Sequence, residues 1–540
     1  MAKGARNPWL VLLFLSLGFF MILLDTTIVN IAIPSIITDL DSSLDQILWV
    51  LNAYLLVYAV LLITAGRLGD FWGPRNLFAL GLFVFIAASA ACGLAPNVNV
   101  LIAARVAQGV GGALLTPQTL TIITSIFPPE RRGAAFGLWG AVAGVAAAAG
   151  PTLGGFLVTY VDWRWIFFVN VPVGIVALLG TWLVVPDLRP GRRHRLDMIG
   201  VTLVSLGLFA IVYGLVEGQR YNWGRVTGLV SIPEILAAGA VILLIFLVYE
   251  RVPAEPLLPL SLFKNRNYSV MLWVSAVLAF AMLGFFLPLT IFLQSVLGFS
   301  ALKAGLTFLP MSLVSMCVAP VAGRMADRIG GKYILMTGLS LFAAGMGLVV
   351  YLVSLSATQA TFLGPAALAG VGMGMTFAPL VTVAMRNVRP QVAGAASGVL
   401  NTVRQLGGVI GSAAVGAVLQ NRLATQLHDQ AVARAGQVPA PFRQQFVSGF
   451  SSAASTGFQV GRGETGGARL PAGIPATFLN QVQQLFHDVF TTAYTNAVRP
   501  TLGLSIAVLL VGALSCMLIE RRARAAQRAQ AAEQQAVAPG

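Results

Sequence analysis

The feature that most constrains this chain is an apolar run of about 20 residues that recurs from one end to the other, with the charges gathered in the short links between runs. Such a run is long enough to cross the hydrocarbon core of a bilayer, and a helix there satisfies all of its own backbone hydrogen bonds. Spans are expected near 9–33, 47–68, 76–94, 100–123, 134–158, 166–185, 197–216 and 228–249, then near 268–293, 304–322, 333–354, 360–384, 395–419 and 500–519, about fourteen in all. With 57% apolar and only 10% charged residues, 540 residues supply too little polar surface for a water-soluble protein. The expected fold class is therefore an all-α polytopic membrane protein. Lys3 and Arg6 ahead of Trp9 resemble the start of a signal peptide, but the run continues through Ile33 with no small-residue cleavage site, so a retained first helix is expected.

A net charge of +15 raises the question of nucleic acid, and the placement of the basic residues argues against it. They fall in alternate loops: Arg67 and Arg75; Arg131 and Arg132; Arg189, Arg192, Arg193 and Arg195; Arg251, Lys264 and Arg266; Arg324, Arg328 and Lys332; Arg386 and Arg389. The opposite short loops hold Arg164, Arg220, Arg225 and Lys303, and the first of them is acidic through Asp39, Asp41 and Asp45. Positive charge is retained on the cytoplasmic side, so the basic loops and both termini are expected there. Cys92, Cys317 and Cys516 all lie in expected spans and support neither a disulfide framework nor a metal site.

Two links share one pattern, Gly66-Arg67-Leu68-Gly69-Asp70-Phe71-Trp72-Gly73-Pro74-Arg75 and Gly323-Arg324-Met325-Ala326-Asp327-Arg328-Ile329-Gly330-Gly331-Lys332. Each is a tight turn in which a carboxylate can meet a helix end or a neighbouring guanidinium. The turns follow the second and tenth spans, which aligns spans 1–6 with 9–14 and leaves the seventh and eighth as an insert. The expected domains are a six-helix bundle over 1–190, two inserted helices over 191–252, helices 9–13 over 253–420, an extracytoplasmic loop over 421–499, helix 14 over 500–520 and a cytoplasmic tail over 521–540. In the loop, Phe478, Val482, Leu485, Phe486, Val489 and Phe490 recur at helical spacing and predict an amphipathic helix leading into helix 14. Its glycine-rich centre, near 457–474, holds Gly461-x-Gly463-x-x-Gly466, which no strand precedes, so it is not taken as a nucleotide fingerprint.

The sharpest chemical signal is Asp25, some fifteen residues into the first span, where ionisation is costly unless a partner or water is at hand. Burial raises a carboxyl pKa and a nearby cation lowers it, so a site poised between the two can take up and release a proton. The alternative is a polar group that only hydrogen-bonds a neighbouring helix. In the fourth span, Arg105, Gln108, Gly109 and Gly112 share one narrow polar face, and a buried guanidinium needs an acceptor. Asp25 and Arg105 are the candidate proton-coupling pair, with a purely structural ion pair as the alternative. The fifth span ends Gly150-Pro151-Thr152-Leu153-Gly154-Gly155, where small residues permit close helix approach and Pro151 can bend the helix.

These residues resemble the major facilitator superfamily, whose two halves carry the duplicated turn between their second and third helices. The Gly150, Pro151, Gly154 and Gly155 ending resembles the antiporter motif of its proton-coupled drug exporters, with Ala146 where that signature has glycine. Trp163-Arg164-Trp165 through Gly174, Pro256-Leu257-Leu258, Phe263-Lys264-Asn265-Arg266 and Asn401-Thr402-Val403-Arg404-Gln405-Leu406-Gly407-Gly408 are similar to the fourteen-helix drug:proton antiporters, the EmrB/QacA group. The match covers nearly the whole chain except 420–499 and the tail. The resemblance implies two six-helix bundles plus two inserted helices, and proton-coupled efflux of lipophilic small molecules or drugs by alternating access, driven by the proton gradient with no cofactor. It implies conformational-switch turns at Gly66, Asp70, Gly73 and Arg75, and at Gly323, Asp327, Arg328, Gly330 and Lys332. Phe71 and Pro74 stand where the family usually has a basic residue.

Arg404 lies well inside the thirteenth span and is expected to bind an anionic group, to keep a carboxylate elsewhere ionised, or to bond carbonyls of a broken neighbour. A candidate substrate cavity combines Asn30, Gln108, Trp139, Phe286, Asn401, Arg404 and Gln405. With Asp25 committed to protons, neutral or monovalent compounds are expected to be exported better than dications. The alternative function is export of an endogenous metabolite, lipid or siderophore. An envelope adaptor protein is a further candidate partner. His194, His428 and His487 all fall outside the spans and supply no catalytic cluster, and Gly331-Lys332 is followed by Tyr333 rather than Ser or Thr, so no Walker motif is formed.

Overall fold

Capping residues set where many of the helices begin. Asn7 accepts a hydrogen bond from the Trp9 backbone and Pro8 opens α1 (Pro8–Asp39). Asn97 does the same for α4 (Val98–Ile126), Asp197 for α7 (Met198–Glu217) and Asn265 for α9 (Arg266–Ile291). Ser231 and Glu234 close a reciprocal capping box on α8 (Ile232–Tyr249). The other long helices are α2 (Leu44–Trp72), α3 (Pro74–Gly93), α5 (Arg132–Tyr160), α6 (Asn170–Val184), α10 (Leu309–Ile329), α11 (Lys332–Leu352), α12 (Gln359–Met385), α13 (Ala393–Arg434) and α14 (Ala476–Ser515). This computed structural model describes residues 7–520, apart from 189–196, 456–475 and positions 43, 219, 222, 227, 229, 254 and 439. The glycine-rich centre near 457–474, most of the 189–195 basic loop and the tail after Glu520 therefore lie outside the described residues.

Thirteen helical stretches among the described residues are long and apolar enough to cross a membrane. The remaining long helix, α5, has the length, 29 residues, and a Gly- and Ala-rich sequence that gives it small sides. Small sides suit a helix that must approach others closely, and α5 packs against α1, α10 and α12.

Helices α1–α6 form one half and α9–α14 the other, with no β-strand among the described residues. Within the first half, α3 and α4 cross so closely that a Cβ on Gly111 would stand 2.6 Å from the Phe85 backbone nitrogen. The halves meet where α2 and α4 touch α13 and where α5 touches α10 and α12. The inserted α7 and α8 pack on each other, and α7 seats against α2 and α13, leaving α8 with little burial.

The segment expected as a loop over 421–499 differs in part. Helix α13 runs on to Arg434 and α14 begins at Ala476, so both extend beyond their expected ends. The cause is apolar spacing: Leu423, Leu427 and Ala431 are buried along α13, facing Val482, Phe486 and Phe490 on α14. A short helix, Arg443–Ser455, lays Phe446 and Phe450 against Phe486 with ring centres 5.0 and 4.5 Å apart.

Candidate functional site

Asp25 on α1 and Arg105 on α4 meet in the interior, 0% and 1% exposed. Arg105 Nη1 donates to Asp25 Oδ2 at 2.5 Å and to Gln108 Oε1 at 2.7 Å, and Arg105 Nε donates to the Val50 carbonyl of α2 at 3.0 Å. Gln108 Nε2 donates to the other carboxylate oxygen at 2.8 Å. Asn170, at the start of α6, reaches the same oxygen at 3.4 Å and the Ser89 hydroxyl of α3 at 3.1 Å. The Tyr54 ring lies 4.3 Å from the guanidinium carbon. Two charges out of water cost several kcal/mol each unless every lone pair and proton finds a partner. Here a cluster drawn from α1, α2, α3, α4 and α6 supplies those partners. Gln108, expected to face substrate, is instead fully buried within this network.

The duplicated turns form a second arrangement, on the face that carries the basic loops. Asp70 accepts from the Gly394 and Ala395 nitrogens at 2.9 and 3.1 Å, at the start of α13. Asp327 accepts from the Gly133 and Ala134 nitrogens at 3.0 and 3.2 Å, at the start of α5. Each turn of one half thus holds the first turn of a helix in the other, where the helix dipole favours a negative charge. Gly66 backs directly onto Gly394, and Gly323 onto Gly133. Gly73 and Gly330 adopt φ of 87° and 89°, which permits the sharp exit after each aspartate. Arg75 turns away from Asp70 to Asp187, 3.6 Å away, and to the Val185 carbonyl. It is Arg67 that stands 3.7 Å from Asp70, resting on the Phe71 ring. Lys332 donates to the Met517 carbonyl beyond α14. Closure of this face between the halves is the state described.

On α5, a Cβ at Gly150 would collide with the Thr27 hydroxyl and one at Gly154 would come within 2.8 Å of Ile28, so this helix lies tight against α1 beside Asp25. Gly155 faces only Leu302, at 4.0 Å. The side chain of Pro151 lies outside what is described.

The expected substrate-cavity residues separate. Trp139 is fully buried, stacked between Phe19 at 4.0 Å and Phe377 at 5.5 Å, and so lines no open space. Asn401 is buried and donates to the Ser397 carbonyl of its own helix. Asn30 is exposed and donates to the Thr26 carbonyl. Phe286 borders a small apolar recess inside the second half, with Phe308, Met311, Phe342 and Phe362. Arg404 and Gln405 remain half-buried on α13. Ser89, Asn170 and Tyr54 were not expected at the Asp25 site. Asn170 is a lone amide leading an apolar span, a signal of the same kind as Asp25, whereas Ser89 and Tyr54 carry no distinguishing pattern.

Two packed six-helix halves, joined by reciprocal latches around a buried ion pair, have the build of a solute carrier of the membrane. The family model described as Major Facilitator Superfamily matches residues 15–412, and the chain belongs to that family. It is 44% identical over 423 residues to an uncharacterised MFS-type transporter of Mycobacterium tuberculosis, covering 78% of this chain and 72% of the relative. It is 35% identical over 436 residues to the tetracenomycin C resistance and export protein of Streptomyces glaucescens, covering 79% of each. Among solved structures, a proton:xylose symporter matches with a TM-score of 0.54 at 14% identity, over 83% of this chain and 94% of that one, a likeness of fold alone. The protein is thus a multi-pass membrane transporter with small-molecule substrates.

Proposed function

We propose that the protein exports lipophilic small molecules across a bacterial cytoplasmic membrane in exchange for protons, with its basic face and both termini cytoplasmic. The observation that carries this is Asp25, a mid-span carboxylate with no exposed surface, tied to Arg105 and Gln108 and flanked by the tight α1–α5 crossing. A proton arriving at Asp25 removes the charge that Arg105 holds, and a buried ion pair that loses one charge loses most of its cohesion. Helices α1, α2, α3, α4 and α6 all touch the cluster, so its loosening changes how the first half packs. Deprotonation restores the pair. The same two states, set against the latches on the basic face, give alternating access. The 35% identical export protein supports efflux as the direction.

Asp25→Asn keeps the shape and the hydrogen bond from Gln108 but cannot ionise. In reconstituted vesicles, substrate-induced proton release is expected to vanish in this variant and to persist in part with Asp25→Glu. Normal antiport by Asp25→Asn in correctly folded protein overturns the assignment of the proton site.

A further inference from the structure

Arg105 is fully partnered; Arg404 is not. Arg404 sits mid-span on α13, and both halves reach it: the Tyr58 hydroxyl of α2 lies beside it, and Phe377 of α12 presents its ring 5.6 Å from the guanidinium carbon. No carboxylate among the described residues accompanies it. It nevertheless keeps open surface, while Tyr58, Asn401 and Trp139 around it are buried. A guanidinium carries five N–H donors and does not give up its proton. Among the described residues, one nearby hydroxyl and one ring face leave most of those donors unmet, deep in a region where an uncompensated cation is costly.

The aromatic surroundings are equally particular. Phe377 lies near-parallel to Trp139, at 29° and 5.5 Å, and Trp139 lies near-parallel to Phe19, at 24° and 4.0 Å. Rings from α1, α5 and α12 thus make a column that ends at the arginine. On the other side, Tyr58 stacks with Tyr54 at 5.9 Å and 11°. Aromatic edges beside a cation with vacant donors match an aromatic molecule with an acidic oxygen.

We infer that Arg404, Phe377 and Tyr58 form the substrate subsite for a planar aromatic compound bearing a carboxylate or phenolate, whose oxygen pairs with Arg404 and whose ring packs against the edges of Phe377 and Tyr58. The inference rests on the export role proposed above and gives it a substrate class. Asp25, the acid that would repel such an anion most, is held by Arg105 and does not face this space.

The test is equilibrium binding to the purified full chain of 1-pyrenebutyrate and its neutral methyl ester, which differ only in the acid, alongside vesicle export of both. The native protein is expected to bind the acid about tenfold tighter than the ester, the size of one charge-assisted hydrogen bond. That ratio should fall to near one in Arg404→Gln and be largely kept in Arg404→Lys. Phe377→Leu should weaken both probes together, because it removes the shared ring contact. A native ratio near one, or a ratio that survives Arg404→Gln, overturns the subsite. If Arg404→Gln does not fold, the native ratio and Arg404→Lys still decide it. Acid preference without export or proton release refutes the transport role and leaves the subsite standing; proton-coupled export of both probes at a ratio indifferent to Arg404 does the reverse.

Discussion

Replacing Asp70 by Asn should open the basic face, and the structure sets the size of the effect. Asp70 receives two backbone N–H bonds, at 2.9 and 3.1 Å, from the buried first turn of α13, and these bonds exist only while the two halves are closed there. A hydrogen bond to a charged group contributes about 1.5–3 kcal/mol. The carboxamide keeps one acceptor oxygen and loses the charge, so roughly one bond's worth of closure is lost, an increase of about 10- to 150-fold in the open population. Ser397 reports on that opening: it is fully buried at the same interface, donating to the Pro117 carbonyl of α4 at 2.8 Å. A Ser397→Cys reporter, in a chain whose Cys92, Cys317 and Cys516 are replaced by Ser, should react with a maleimide added on the basic side at a rate that rises by the same factor. Asp327→Asn should act alike through Gly133 and Ala134, and the two together should multiply, because both bias one two-state equilibrium. A change below about threefold in folded protein would refute the latch.

Three further outcomes follow from other parts of the structure. Glu250, buried just past α8, accepts from the Leu258 nitrogen at 2.9 Å; burial pushes its carboxyl up to about 7, Asp197 adds to the rise, and the Leu258 N–H and Arg67 oppose it. The folded protein therefore keeps a proton that the unfolded chain releases near 4.5, so stability should decline as pH rises from there towards 7 and level off above. Glu250→Gln should flatten that decline in detergent melting curves, and an unchanged decline would assign it elsewhere. Gly111→Val puts a side chain into the α3–α4 crossing and should destabilise by about 1–3 kcal/mol, visible as a lower melting temperature, whereas the same change at Gly347, whose Cβ position is open, should not. With Asp25 as the carboxylate at mid-span, one proton should move per neutral substrate exported, giving one charge per turnover in electrical recordings; two would require a second site.

The long-range architecture was legible because lipid permits so few solutions. Apolar length alone placed the spans, and the repeated Gly-x-x-x-Asp turn aligned the halves. The partner of each aspartate was not legible as a residue, because it is backbone: Gly394, Ala395, Gly133 and Ala134 donate N–H groups that every residue except proline possesses. Asp25 and Arg105 stood out because a charge in an apolar run has no inexpensive explanation, and the third partner, Gln108, was visible on the face of Arg105 yet was assigned to substrate. Only the packing shows that it is committed to the carboxylate. Trp139 failed as a cavity residue for a related reason: helical position indicates that a ring points inward, not whether Phe19 and Phe377 have already covered both of its faces.

Duplication and charge follow different rules in this chain. The latches occur twice, since rocking two halves about a centre requires a contact at each crossing, and α2 on α13 and α5 on α10 are the two crossings. The ionisable chemistry occurs once. By the repeat, α9 corresponds to α1 and α12 to α4, yet α9 carries no acid and α12 no charged residue. Its lone mid-span arginine, Arg404, lies instead on α13, the helix that Asp70 holds. On the assignments proposed above, the proton site lies within the first half, whereas the substrate subsite joins Tyr58 of that half to Arg404 of the other. On that proposal, exchange runs through the geometry of the halves rather than through competition for one shared group.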